Sequence, residues 1–179
     1  KLAHLLRNKY DCILSTSKSI NNDNSLLNCR INGLNNNKPD LFIVDMKLKL
    51  KKKLLLNSLL KIRKTYLITN KINAKKSLVY KKLGYKIILI NQLNDKNDFN
   101  SLIKRIYNMG YSRLLIESGL TFLNYLLKYK LINELYLFKS SHKLGKNGKN
   151  NDTLFHLKKI NPRLLTINLI NDKLLKKEF

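Results

Sequence analysis

The stretch RLLIESGLTFLNYLL, Arg113 to Leu127, decides the architecture. An apolar run of strand type ends in a carboxylate, Glu117, passes through Ser118 and Gly119, and enters a segment whose leucines repeat with helical spacing. Leu120, Leu123, Leu126, Leu127 and Leu131 mark one face of that helix. A strand feeding directly into a helix is half of a βαβ unit. Similar short apolar runs recur at Cys12 to Ser17, Leu41 to Asp45, Thr65 to Thr69, Tyr85 to Ile90, Glu134 to Lys139 and Leu164 to Ile170. The middle ones are almost continuously apolar, as in a parallel sheet covered on both faces. Helical patterns lie between them, over Ala74 to Leu83 before Gly84, and over Asp98 to Met109 with Phe99, Leu102, Ile103 and Ile106 on one face. The expectation is an α/β fold, mainly parallel and flanked by helices, with an antiparallel hairpin or edge where ELYLFK and LLTINLI close the chain. HLLRNKYDCIL reads as the end of a helix feeding the first strand, with sequence expected upstream. Asn35 to Lys38 and Lys143 to Asp152 read as loops.

A chain of 179 residues with 44% hydrophobic content fits a single domain with its own core. Cys12 and Cys29 form neither a CxxC pair nor a disulfide framework, so both are expected as reduced thiols. His4, His142 and His156 are isolated, His4 on a helix surface, and no metal site is expected. No apolar run reaches the ~20 residues of a membrane span, and no signal-peptide pattern opens the chain. Both point to a cytoplasmic protein without membrane contact. The formal charge of +25 ordinarily suggests nucleic acid. Here lysine and asparagine are spread evenly, while arginine, the better donor for bidentate phosphate or guanine contacts, is confined to Arg7, Arg30, Arg63, Arg105, Arg113 and Arg163. The densest run, Lys47 to Lys53, lacks interleaved aromatics and reads as a solvated loop. A basic nucleic-acid-binding module stays as an alternative whose mark is affinity falling steeply with salt.

Two stretches carry candidate chemistry. In IESGLT, Gly119 lets backbone approach a ligand, Thr121 offers a hydroxyl, and the free N–H groups at the helix start suit a phosphate. Glu117, a carboxylate closing an apolar strand, needs solvation or a partner. An ordinary strand-turn-helix junction accounts for the same residues. Farther upstream, Arg7 and Arg30 bracket a strand and a polar segment containing Ser19 and Asp23, and paired arginines can fix a phosphate monoester. The plain alternative is an arginine near a helix C-terminus and a generic NNDNS turn.

Taken in order, Arg7, the strand DCILSTS, Ser19-Ile20, Asp23-Asn24, Leu27, Arg30, FIVDM, IESGLTF, LINELYLF and HKLG resemble the C-terminal reductase domain of the riboflavin-biosynthesis bifunctional deaminase/reductase (RibD), of the dihydrofolate-reductase-like superfamily. The resemblance spans Arg7 to about Gly148. It implies a central mixed, mostly parallel sheet flanked by helices, with antiparallel C-terminal strands. It also implies NADPH-dependent reduction of the ribosyl group of 5-amino-6-(5-phosphoribosylamino)uracil to the ribityl form. By resemblance, Ser19, Asp23, Gly119, Leu120, Thr121 and Phe122, with the helix running on to Tyr125, hold the cofactor. Arg7, Leu27, Arg30 and Glu117 contact the phosphorylated aminopyrimidine, and Asp23 and Glu117 are the acidic candidates for catalysis. A homodimer and a deaminase partner domain are further implications. The chain departs from the pattern at Leu120 and Ser25, where the family has proline, and at Met46, where it often has a cofactor-contacting serine. The family's Ser-Leu-Asp-Gly first strand and the H-x-E and P-C-x-x-C deaminase signatures have no counterpart in this sequence. A non-catalytic descendant serving as a structural or dimerising module is the second alternative.

Overall fold

Cys12, Ile13 and Leu14 are wholly buried because the strand they form has a neighbour on each side. The computed structural model describes residues 2–33, 39–140, 159–169 and 172–179, and the chain divides into two compact units, Lys1–Gly119 and Leu120–Phe179. The first unit runs α1 (Leu2–Lys9), β1 (Cys12–Thr16), α2 (Ser17–Asp23), β2 (Asp40–Val44), β3 (Thr65–Asn70), α3 (Ala74–Leu83), β4 (Lys86–Ile90), α4 (Lys96–Asn108) and β5 (Leu114–Ile116). Its five strands form one parallel sheet in the order β4-β3-β2-β1-β5. Ile13 pairs in register with Leu41 on one side and Leu115 on the other.

Side chains alternate across the sheet. Ile13, Leu41, Ile43 and Leu67 share a core with Ile20 of α2, Tyr80 of α3 and Tyr85. Phe42 stacks on Tyr66 with ring centroids 4.5 Å apart, and Tyr111 meets Phe42 edge-on. In α4 the buried face is Phe99, Leu102 and Ile106, as the spacing predicts, with Ile103 half-buried.

The polar segment after β1 is a helix, where a turn was expected. Thr16 caps it by accepting the Ser19 N–H at 3.3 Å, Ile20 anchors it by full burial, and Asn24, in the left-handed region at φ 45°, closes it. Two buried positions, Ser17 and Ile20, are too few to give this helix a readable period. The lysine run after β2 is solvated on its lysines alone. The buried Asp45 carboxylate accepts the N–H groups of Lys49 at 2.9 Å and Leu50 at 2.7 Å, and Leu50 enters the core.

The second unit comprises α5 (Leu120–Lys128), β6 (Glu134–Lys139), β7 (Arg163–Leu169) and β8 (Asp172–Glu178). Its sheet is antiparallel in the order β6-β8-β7. The expected antiparallel C-terminal strands are there, but ELYLFK and LLTINLI are not neighbours. The unread strand DKLLKKE lies between them, and Lys176 bridges Glu134 at 2.9 Å and Glu178 at 2.6 Å. The α/β class holds, its parallel and antiparallel parts carried by two separate sheets. The expected loops at Asn35 to Lys38 and Lys143 to Asp152, with His142, His156 and the HKLG segment, lie outside the described residues.

Candidate functional site at the β1–β5 switch point

From β1 the chain builds β2, β3 and β4 on one side and returns to place β5 on the other. The crevice between the C-terminal ends of β1 and β5 is therefore a topological switch point, where open α/β sheets bind ligands. The Glu117 N–H donates to the Leu14 carbonyl at 3.0 Å, which carries the β1–β5 ladder one residue past the strand. Two side-chain contacts gather there. Arg7 of α1 donates through Nε and Nη2 to the two Glu117 carboxylate oxygens at 2.7 and 2.8 Å, and the Gly119 N–H donates to Ser19 Oγ at 3.0 Å. The carboxylate closing an apolar strand is thus held by a bidentate, charge-assisted pair. Its side chains are 13% and 27% exposed, so most water is excluded from the pair.

Arg7 reaches further. Its Nη1 donates to the Asn28 carbonyl at 3.0 Å, and His4 Nδ1 lies 2.9 Å from the same oxygen while the Arg30 N–H points to that nitrogen at 3.2 Å. Arg63 holds the two preceding carbonyls, Leu27 through Nη1 and Leu26 through Nη2, and Nη1 also reaches the Pro39 carbonyl at 3.2 Å. Burial pulls the Arg63 guanidinium down to about 10, which leaves it charged at neutral pH. Leu26, Leu27 and Asn28 therefore present successive carbonyls to basic side chains. Leu27 takes φ 48° in doing so, a conformation costing roughly 1–2 kcal/mol outside glycine. Hydrogen bonds from charged groups contribute about 1.5–3 kcal/mol each, so the anchoring outweighs the strain.

The structure thus brings Arg7 to Glu117 and Ser19 to Gly119 beside the C-terminal ends of β1 and β5, while Leu27 is buried in the core with its carbonyl held by Arg63. Asp23 is exposed at the end of α2, and the Arg30 side chain is exposed while its backbone joins the cluster. Leu120, Thr121 and Phe122 begin α5 in the second unit, where the Phe122 ring stacks on Tyr125 with centroids 5.9 Å apart. His4, expected on a helix surface, is half-buried and bonded. Neither Arg63 nor Asn28 was singled out from the sequence. The usable signal was the rarity of arginine: Arg63, one of six among 36 basic residues, stands beside an apolar strand. Along the same C-terminal edge a cleft of about 560 Å³ follows β2, β3 and β4, lined by Met46, Lys47, Asn70, Asn73, Asn91 and Gln92 among others. There Asn73 Nδ2 donates to the Met46 carbonyl and to Thr69 Oγ1, each at 3.0 Å.

Comparison with solved structures shows that the fold is shared with other proteins. RibD from Acinetobacter baumannii is 19% identical, with a TM-score of 0.72 over 97% of this chain and 48% of its own. The riboflavin biosynthesis reductase Rib7 from Saccharomyces cerevisiae is 20% identical, with a TM-score of 0.71 over 99% of this chain and 79% of its own. The Thermotoga maritima diaminohydroxyphosphoribosylaminopyrimidine deaminase/5-amino-6-(5-phosphoribosylamino)uracil reductase is 17% identical, with a TM-score of 0.64 over 98% of this chain and 47% of its own. The chain spans about half the length of the Acinetobacter and Thermotoga proteins. No curated protein sequence gives a significant match. Among the described residues no helix is long and apolar enough to cross a membrane. The model of the RibD C-terminal domain matches residues 1–172, and the chain belongs to that family.

Proposed function

We propose that this chain reduces the ribosyl group of 5-amino-6-(5-phosphoribosylamino)uracil with NADPH. The observation that carries the reading is the Arg7–Glu117 pair at the β1–β5 switch point, in a chain of the RibD C-terminal family. The residues fit such a cofactor. A Cβ built on Gly119 would meet only Ser19 Oγ, at 3.6 Å, so the backbone there is open to close approach. The cleft beyond β2 to β4 is lined by carboxamides and Lys47, with no carboxylate in its lining to repel a 2′-phosphate or to grip a ribose diol. Met46, in place of serine, leaves its carbonyl engaged by Asn73, so any contact from its side chain is apolar.

The chemistry that bound NADPH would supply is a hydride for C1′ of the sugar. The protein's part is orientation and charge. Glu117, with each carboxylate oxygen accepting from Arg7, fixes the guanidinium, and the two remaining Nη protons of Arg7 are donors for a polar substrate group. The exposed Arg30 side chain, four residues along from Leu26 on the anchored segment, suits the 5′-phosphate. As the C1′–O4′ bond breaks, the freed oxygen takes a proton. Asp23, exposed, is the carboxylate not committed to Arg7, and water reaches it. The family likeness extends the reading to a homodimer.

The test is titration of the chain with NADPH and NADH at two salt concentrations, followed by turnover with the pyrimidine substrate. Saturable binding that favours NADPH and survives the higher salt, with loss of nicotinamide absorbance on adding substrate, is the expected result. Binding that vanishes with salt and ignores the 2′-phosphate overturns it.

A further inference from the structure

We infer that His4 is a positioning residue of this site, holding the Leu27–Arg30 segment against Arg7 as a neutral imidazole and releasing the Arg30 amide when it gains a proton. The argument begins with one ring nitrogen. Nδ1 lies 2.9 Å from the Asn28 carbonyl oxygen and 3.2 Å along the Arg30 N–H. A nitrogen carrying a proton donates to the carbonyl; a nitrogen with a free lone pair accepts from the amide. It cannot do both, so the two contacts are alternatives selected by the proton on Nδ1.

The surroundings decide which alternative holds at neutral pH. The Asn28 oxygen already accepts from Arg7 Nη1 at 3.0 Å, so it has a partner without His4. The Arg30 N–H has no other acceptor among the contacts of the described residues, which makes the free lone pair the better match. Burial of the ring opposes protonation most strongly, and the charges of Arg7 on its own helix and Arg30 on the opposite segment act in the same sense. The hydrogen bond to Asn28 pulls the other way. His4 therefore titrates below the ordinary histidine value. The neutral form holds above it, and the Arg30 anchor is lost as pH falls through the lowered value.

The consequence for the site is geometric. Arg7 joins Glu117 to the Asn28 carbonyl, and neutral His4, on the same helix, accepts the Arg30 N–H, so α1 links the carboxylate at the end of β5 to the backbone that carries the Arg30 side chain. Protonating one member slackens the far end without touching Glu117.

The structural half of the test is independent of activity: NMR titration of the His4 ring and the Arg30 amide across acid pH in the wild-type chain. The Arg30 amide shift should follow the His4 titration with one midpoint, below the ordinary histidine value. An Arg30 amide indifferent to His4 overturns the proposal whether or not the chain turns over. The kinetic half rests on the reductase reading and compares His4→Asn, whose side-chain oxygen can stand in for Nδ1 as an acceptor at every pH, with His4→Ala. His4→Asn should keep KM for the pyrimidine near wild type and flatten its rise in acid, while His4→Ala should raise KM about fivefold at neutral pH, the worth of one net hydrogen bond, with kcat little changed. Equal KM and equal pH profiles in all three chains would overturn it. A wild-type chain without turnover would instead sink the reductase reading and leave the NMR result standing.

Discussion

Glu117 matters at the scale of one residue because it holds a guanidinium that is 13% exposed. Glu117→Gln keeps the shape and removes the charge, leaving Arg7 with a weaker acceptor. The expected cost is about 1–3 kcal/mol of stability, seen as a lower denaturant midpoint, with turnover falling more than NADPH affinity. Arg63→Met should cost more. It strips donors from the carbonyls of Leu26, Leu27 and Pro39 together, and each buried carbonyl left without a partner costs about 1–3 kcal/mol. An unchanged urea midpoint would refute the anchoring role. Gly119 allows a cleaner experiment. Its φ is not in the left-handed region and an added Cβ would sit 3.6 Å from Ser19 Oγ, an ordinary contact. Gly119→Ala should therefore melt as wild type does, so that lost NADPH binding in that variant reports close approach of the cofactor and not misfolding.

At the scale of elements, caps and turns set the boundaries. Asp95 and Asp98 form a reciprocal capping box at the start of α4. Asp95→Ala should lower stability by about 1 kcal/mol, read from urea denaturation. Asp11 plays a comparable part at the entry to β1 and β5. It accepts the N–H groups of Ser112 and Arg113 and pairs with the Arg113 side chain at 3.0 Å. The Arg113 backbone N–H, followed by that side chain, lowers its carboxyl from the usual value. A carboxylate depressed on folding stabilises the fold above its unfolded value and loses that contribution as pH falls through the folded one. Asp11→Asn should thus flatten the acid side of the stability profile below the ordinary aspartate range, and a profile superimposable on wild type would dismiss the link.

Across the whole molecule the dominant fact is a charge of +25 on 179 residues. Like charges on a folded surface repel, and salt screens them within about 8 Å at physiological ionic strength. Melting temperature should accordingly rise with added sodium chloride, while the NADPH binding proposed at Ser19, Gly119 and neighbouring backbone groups should persist. A melting temperature that falls with salt would mean that the ion pairs outweigh the general repulsion.

The strands and long helices of the first unit were legible in the sequence because their burial follows a period. LFIVD and TYLIT are almost continuously apolar since both faces of a parallel sheet are covered, YKIILI keeps most of that run at the sheet edge, and α4 shows its face through Phe99, Leu102 and Ile106. The C-terminal strand DKLLKKE was not legible. Five of its seven residues are charged, and its place between β6 and β7 rests on backbone pairing and cross-strand charge, which leave no apolar period. The same divide runs through the site. Glu117 and Arg7 drew notice as a carboxylate ending an apolar strand and a rare arginine, but their pairing across 110 residues is a product of strand order. His4, Asn28 and Arg63 carry no local pattern at all. His4 and Arg63 satisfy amide and carbonyl groups, and Arg7 takes the Asn28 carbonyl; only the folded turn at Leu27 brings these groups within reach, and tertiary structure alone decides that.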